Sequence, residues 1–121
     1  MALKYYSIQI SLFTSQLVIK LLRLFYKVSK VISFITEMEI LSWPSLSEKE
    51  HKIAKAMIGE CRVIQMNNTI RDEAITIRRS TRLKLPDAIV AATSKYLDLT
   101  LISADADLKK VKGIDLIYLV P

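Results

Sequence analysis

Two periods of apolar residues succeed one another along the chain. Residues 5–13 (YYSIQISLF) partly alternate polar and apolar, the pattern of a strand. In residues 15–29 Leu, Val and Phe are interleaved with Lys and Arg, which predicts a helix. Residues 31–35 (VISFI) are a short β-branched run suited to a buried strand. Thr36 then reads as a helix N-cap with Glu39 at the third helical position, a capping-box spacing, and Trp43-Pro44 stops that helix. Ser47 opens the next helix, with Glu48 and Glu50 where the helix dipole favours acids. Its apolar residues Ile53, Ala54, Met57 and Ile58 recur at helical spacing, and Gly59 marks its end.

Residues 61–66 (CRVIQM) predict another strand, and Asn68 or Thr69 caps a helix through Ile70, Ala74 and Ile77 that ends near Arg82. Pro86 suits the first position of a helix over residues 86–97. A strand at 100–103 (TLIS), a loop at 104–107 and a last strand at 115–119 complete the chain. Strands alternating with helices imply an α/β domain with a mostly parallel sheet, covered on both faces. Such sheets carry their sites at the carboxyl ends of the strands. Glu39 follows one strand, Asp105 and Asp107 follow another, and Asp87 lies in the first turn of a helix, so the pattern predicts that these acids meet at one edge.

Composition narrows the chemistry. The 121 residues suit one domain, and 51% of them are hydrophobic. One cysteine, Cys61, and one histidine, His51, leave no intrachain disulfide and no zinc site built on Cys and His, and a reducing cytoplasm is the expected setting. Charge is uneven. Residues 1–36 hold Lys4, Lys20, Arg23, Lys27 and Lys30 and no acid, whereas the remaining 85 residues hold 13 basic and 12 acidic side chains. The net charge of +6 therefore says little about nucleic acid. Lys20, Arg23 and Lys27 break the apolar run at 17–25, which argues against a membrane span. A membrane-surface helix at 15–29 and a core-packing helix with a basic outer face both fit that pattern.

Three segments carry a resemblance. Residues 35–41 (ITEMEIL) are similar to the "T-x-x-E-L" segment of PIN domains, and residues 82–93 (RLKLPDAIVAAT) resemble their "L-x-x-P-D-A-x-I-A-A-T" helix. Residues 101–108 (LISADADL) look like their "L-[VI]-[TS]-x-D-x-D-[FL]" loop, and the order fits the VapC-like toxins of toxin–antitoxin pairs over about residues 31–121. The resemblance implies a PIN-like three-layer α/β/α fold in a single domain spanning residues 1–121, with residues 1–30 divergent. It further implies a metal-dependent endoribonuclease using Mg2+ or Mn2+, a cognate antitoxin, and a homodimer, with no membrane role. Glu39, Asp87 and Asp105 would be ligands, and Asp107 a further ligand or the positioner of one. The chemistry is coherent: hard cations prefer oxygen ligands, neutralise phosphate charge and supply a nucleophilic water. Gathered carboxylates repel one another unless a cation or proton relieves them.

Each residue has a structural alternative. Glu39 can serve only as the capping partner of Thr36, Asp87 only as a helix-start acid, and Asp105 or Asp107 only as a turn cap. Arg78, Arg79, Arg82 and Lys84 suit phosphate contacts or a solvated face equally well. Glu37 and His51 read as surface residues, Cys61 as packing, and Trp43 as a partly buried corner.

One family element is missing. The PIN pattern places an Asp-Thr-Asn on the first strand, where this chain has Ser7-Ile8-Gln9-Ile10-Ser11, and no acid precedes Glu37. Ser-Ile-Gln-Ile can be encoded TCG ATA CAA ATA, and the same bases read from the third position give Asp-Thr-Asn. We hypothesise that the N-terminal segment is a frame-shifted PIN start whose family frame returns by about Val31. The gene's DNA decides the point, since an alternative frame without Asp-Thr-Asn removes the hypothesis. A cup lacking this carboxylate should bind a cation weakly and position water poorly, so little or no nuclease activity is expected. The alternative function is a non-catalytic relic that dimerises or binds the antitoxin.

Overall fold

The computed structural model describes residues 6–8 and 30–119. Five parallel strands form one sheet in the order β3-β2-β1-β4-β5: β1 (Tyr6–Ile8), β2 (Lys30–Ser33), β3 (Arg62–Ile64), β4 (Thr100–Ser103) and β5 (Leu116–Tyr118). The short strand β1 is the centre, with Tyr6 and Ser7 paired to Lys30 and Val31 of β2, and with Ser7 and Ile8 paired to Leu101 and Ile102 of β4. The expected helix at 15–29 and most of the strand expected at 5–13 lie outside the described residues.

Two apolar layers sandwich the sheet. Helix α1 (Phe34–Leu41) and helix α2 (Glu48–Gly59) bury Ile40, Ala54 and Ile58 around Ile32 of β2. Helix α3 (Asn68–Thr81) and helix α4 (Leu85–Leu97) bury Ile70, Ala74, Ile77 and the run Ala88–Ala92 around Leu101 of β4. Ile32 and Leu101 occupy adjacent register rows, and successive residues of a strand point to opposite faces, so the two clusters lie on opposite sides of the sheet. The three-layer α/β/α arrangement expected from the alternating pattern is the one found. Trp43 and Cys61 pack at the edge of the cluster around Ile32, as residues of a corner and of the packing respectively.

Helix starts follow local chemistry, with three corrections, the smallest being that α4 begins at Leu85 and Pro86 is its second residue. Ser47 and Glu50 form the reciprocal capping box of α2. For α3 the cap is Asn67, one residue before the expected Asn68, and its side chain accepts from the Ile70 amide at 2.8 Å. The largest correction is at α1. Strand β2 ends at Ser33 rather than running to Ile35, and Ser33, not Thr36, is the N-cap, its hydroxyl accepting from the Ile35 amide. Thr36 is therefore inside the helix and fully buried. This removes the capping-partner role considered for Glu39.

Candidate functional site

The strand order runs outward from β1 in both directions, so the chain's direction of winding reverses between β1 and β4. In open α/β sheets the crevice at such a reversal, beyond the carboxyl ends of the strands, is the natural binding site. Three segments arrive there. Helix α1 leaves the end of β2 and carries Glu39, the first turn of α4 carries Asp87, and the loop leaving β4 carries Asp105.

Glu39 is half-buried, and its carboxyl is pushed from an ordinary 4.5 up to about 7. Burial is the main cause, followed by the charges of Asp87 and then Asp105. Glu39 thus feels the other two acids, which lie 48 and 66 residues further along the chain. Asp87 is buried, at 8% exposure, although it stands in a helical first turn where an acid would ordinarily face water. Asp105 is partly buried. Its amide donates to the Ser103 hydroxyl at 3.0 Å, and its Oδ1 accepts from the Asp107 amide at 2.9 Å. Asp105 therefore caps the short 3-10 turn Ala106–Lys110 while presenting its charge to Glu39. Asp107 stands apart: it is exposed, and its Oδ1 lies 3.4 Å from the Lys110 ammonium.

The surroundings include hydroxyls that motif reading did not single out. Ser33 and Ser103, at the carboxyl ends of β2 and β4, are both fully buried. Thr36 lies three residues before Glu39, hence on the same helical face, and its buried Oγ1 has no hydrogen-bond partner. A lone buried hydroxyl is costly, and one beside a cluster of acids marks an unfinished polar site. The signal for Thr36 and Ser103 was present in the sequence as the first letters of the "T-x-x-E" and "[TS]-x-D" segments, where only the acids were read for chemistry.

The donor set, all oxygen and carrying mutual repulsion, is right in kind for a hard divalent cation. Its geometry falls short. Among the described residues no three acids, histidines or cysteines converge closely enough to hold a metal ion. The arrangement as it stands does not fit the cation. What the residues do by themselves is hold a carboxyl that exchanges its proton near neutral pH.

Comparison with known proteins agrees with this fold. A toxin–antitoxin complex from Klebsiella pneumoniae is 20% identical with a TM-score of 0.72, over 93% of this chain and 95% of that one. DNA-bound VapBC from Salmonella typhimurium is 16% identical with a TM-score of 0.75, over 93% and 98%. The protein PAE2754 from Pyrobaculum aerophilum is 19% identical with a TM-score of 0.69, over 96% and 90%. At such identities the likeness concerns the fold. No curated protein sequence matches the chain. The model of the PIN domain family matches residues 3–114, beginning far ahead of Val31, where the motif resemblance begins. The relation thus takes in the first strand as well as the acid-bearing segments, and the chain belongs to the PIN domain family.

Proposed function

We propose that the chain is a VapC-like toxin by descent, an endoribonuclease fold built to cut RNA phosphodiester bonds with Mg2+ or Mn2+ and restrained by a small antitoxin. The observation that carries this reading is the mutual influence of Glu39, Asp87 and Asp105 at the reversal between β1 and β4. Neighbours in fold that are toxin–antitoxin complexes support the antitoxin partner, and the family supports the hydrolase class. A homodimer, with Asp107 as an outlying member of the acidic set, belongs to the same proposal.

The second reading, a non-catalytic relic that binds antitoxin or its own copy, is favoured by one observation: the acids present do not converge into a metal-holding group. Both readings predict little cleavage by the chain as it stands, so the discriminating experiment adds the missing carboxylate. Purified protein and its Ile8→Asp variant are incubated with a labelled structured RNA in Mn2+. Cleavage by Ile8→Asp alone, abolished by EDTA, supports a disabled nuclease whose remaining acids are sound. Failure of both folded proteins favours the relic. Cleavage by both would show that the first-strand carboxylate is dispensable.

Among the described residues no helix is long and apolar enough to cross a bilayer. The basic segment at 15–29 on which a surface role would rest lies outside them.

A further inference from the structure

A second feature lies beside the acids. The C-terminal half of α3 and the connection to α4 line an open cavity of about 410 Å3, formed by Ile75, Arg78, Arg79, Arg82 and Leu85. Its walls combine two kinds of side chain. Ile75 and Leu85 are large aliphatic side chains left 51% and 50% exposed. The three arginines are exposed, no acid lines the cavity, and none of the three joins an ion pair among the described residues. A helix C-terminus favours cations, which accounts for arginines in this turn but not for the aliphatic walls between them.

The connection is held in a defined shape. Arg82 closes α3 in the left-handed region at φ 60, and the Arg78 Nε donates across the turn to the Leu83 carbonyl at 3.3 Å. The N-cap of α4, Lys84, makes no side-chain cap hydrogen bond, and Pro86 stands in the first turn that follows. Leu85 and Asp87 share that first turn, about 3 Å apart along the axis. Residues two apart point to different sides of a helix, so the exposed Leu85 of the cavity and the buried Asp87 of the acid cluster flank the start of α4.

We propose that this cavity is a subsite for an unpaired nucleotide of single-stranded RNA, on the far side of the start of α4 from Asp87. Guanidinium groups fork onto phosphate oxygens, and their planes stack on bases. Aliphatic walls take up an unstacked base, which a duplex does not offer. The volume lies in the range of small-ligand pockets. Charge decides the occupant: among the described residues three arginines without an ion pair and no acid line the cavity, which complements a polyanion, whereas a second copy of this chain, at net +6, offers no comparable excess of acid. The inference rests on the RNA-cutting reading above and specifies where the substrate strand runs.

The test measures binding apart from cleavage. Anisotropy of a labelled mixed-sequence 12-nucleotide single-stranded RNA is titrated in EDTA with the whole protein. The double substitution Arg79→Glu, Arg82→Glu is compared with Lys52→Glu, Lys55→Glu, the same charge change on α2. The cavity variant should raise Kd by about tenfold or more and flatten the salt dependence by roughly 1.4 in log–log slope, about 0.7 for each lost phosphate contact. The α2 variant should change Kd less than about twofold. Leu85→Ala should weaken single-stranded RNA without altering the salt slope or the affinity for duplex RNA.

Equal losses in the two charge variants, equal binding of duplex, or no binding by the unmodified protein would overturn the proposal. So would a cavity variant that keeps its RNA affinity while light scattering shows a dimer falling to monomer, since the surface would then be an interface between copies. The two readings separate cleanly. If Ile8→Asp cuts RNA equally well with and without the arginine substitutions at limiting substrate, the subsite fails and the nuclease stands. If RNA binds through the cavity and no variant cuts, the nuclease fails and the subsite stands.

Discussion

Glu39 concentrates the argument about this protein into one residue. Its carboxyl moves from 4.5 to about 7 on folding because it is buried and because Asp87 and Asp105 are close. Between those values the folded state binds more protons than the unfolded one, so stability falls as pH rises from about 4.5 through 7. The contribution of the protonated carboxyl is fully present below about 4.5. Replacing Glu39 by Gln keeps that position neutral at every pH. Metal-free Glu39→Gln should therefore melt with the unmodified protein at pH 4.5 and a few degrees above it at pH 8. Thermal melts followed by circular dichroism at the two pH values measure this, and parallel pH profiles would mean that neither burial nor the neighbouring acids shift Glu39.

The elements are specified by different means. Helix α2 owes its start to a capping box written in consecutive residues, and α3 to Asn67. Asn67→Ala should cost about 1 kcal/mol and lower the melting temperature by several degrees, with the sheet intact. A null effect would assign the start of α3 to packing of Ile70 instead. Helix α1 shows why a boundary was misplaced. Residues 31–35 are apolar throughout, and a short apolar run does not say whether it is strand or helix. Ser33 is as competent a cap as Thr36, and only the end of the β2 ladder at Ser33 chose between them. The 3-10 turn after β4 looks like a loop in sequence for a related reason: five residues give no usable period, and Asp105 caps the turn.

At the scale of the molecule the decisive fact is that β1 pairs with β2 on one side and β4 on the other. Without it the sheet divides into β3-β2 and β4-β5. A chain beginning at Lys30 should therefore lose cooperative unfolding, giving a broad, shallow denaturant transition where the full chain gives a steep one. An unchanged transition would show that the two halves cohere through α1 and α4 alone. The same fact bears on the divergent start. The family match from residue 3 and the central place of β1 show that this segment fills the first-strand position whatever its reading frame, which remains a question for the gene's DNA.

The alternation of strand and helix, the parallel sheet and the three acid-bearing segments were legible in the sequence, because periodicity and cap residues are local and each motif is contiguous. The PIN resemblance rested on the same contiguous segments. Which acids act on one another was not local. Glu39, Asp87 and Asp105 lie on three separate elements, and only the order β3-β2-β1-β4-β5 brings them to one crevice, while Asp107, two residues from Asp105, turns outward to Lys110. The unpartnered hydroxyl of Thr36 and the arginine-lined cavity also depend on folding, because burial and enclosure are properties of packed neighbours. Sequence determined the parts and their chemistry. Tertiary structure decided which parts meet, because proximity across dozens of residues is set by strand order and packing, which no single segment contains.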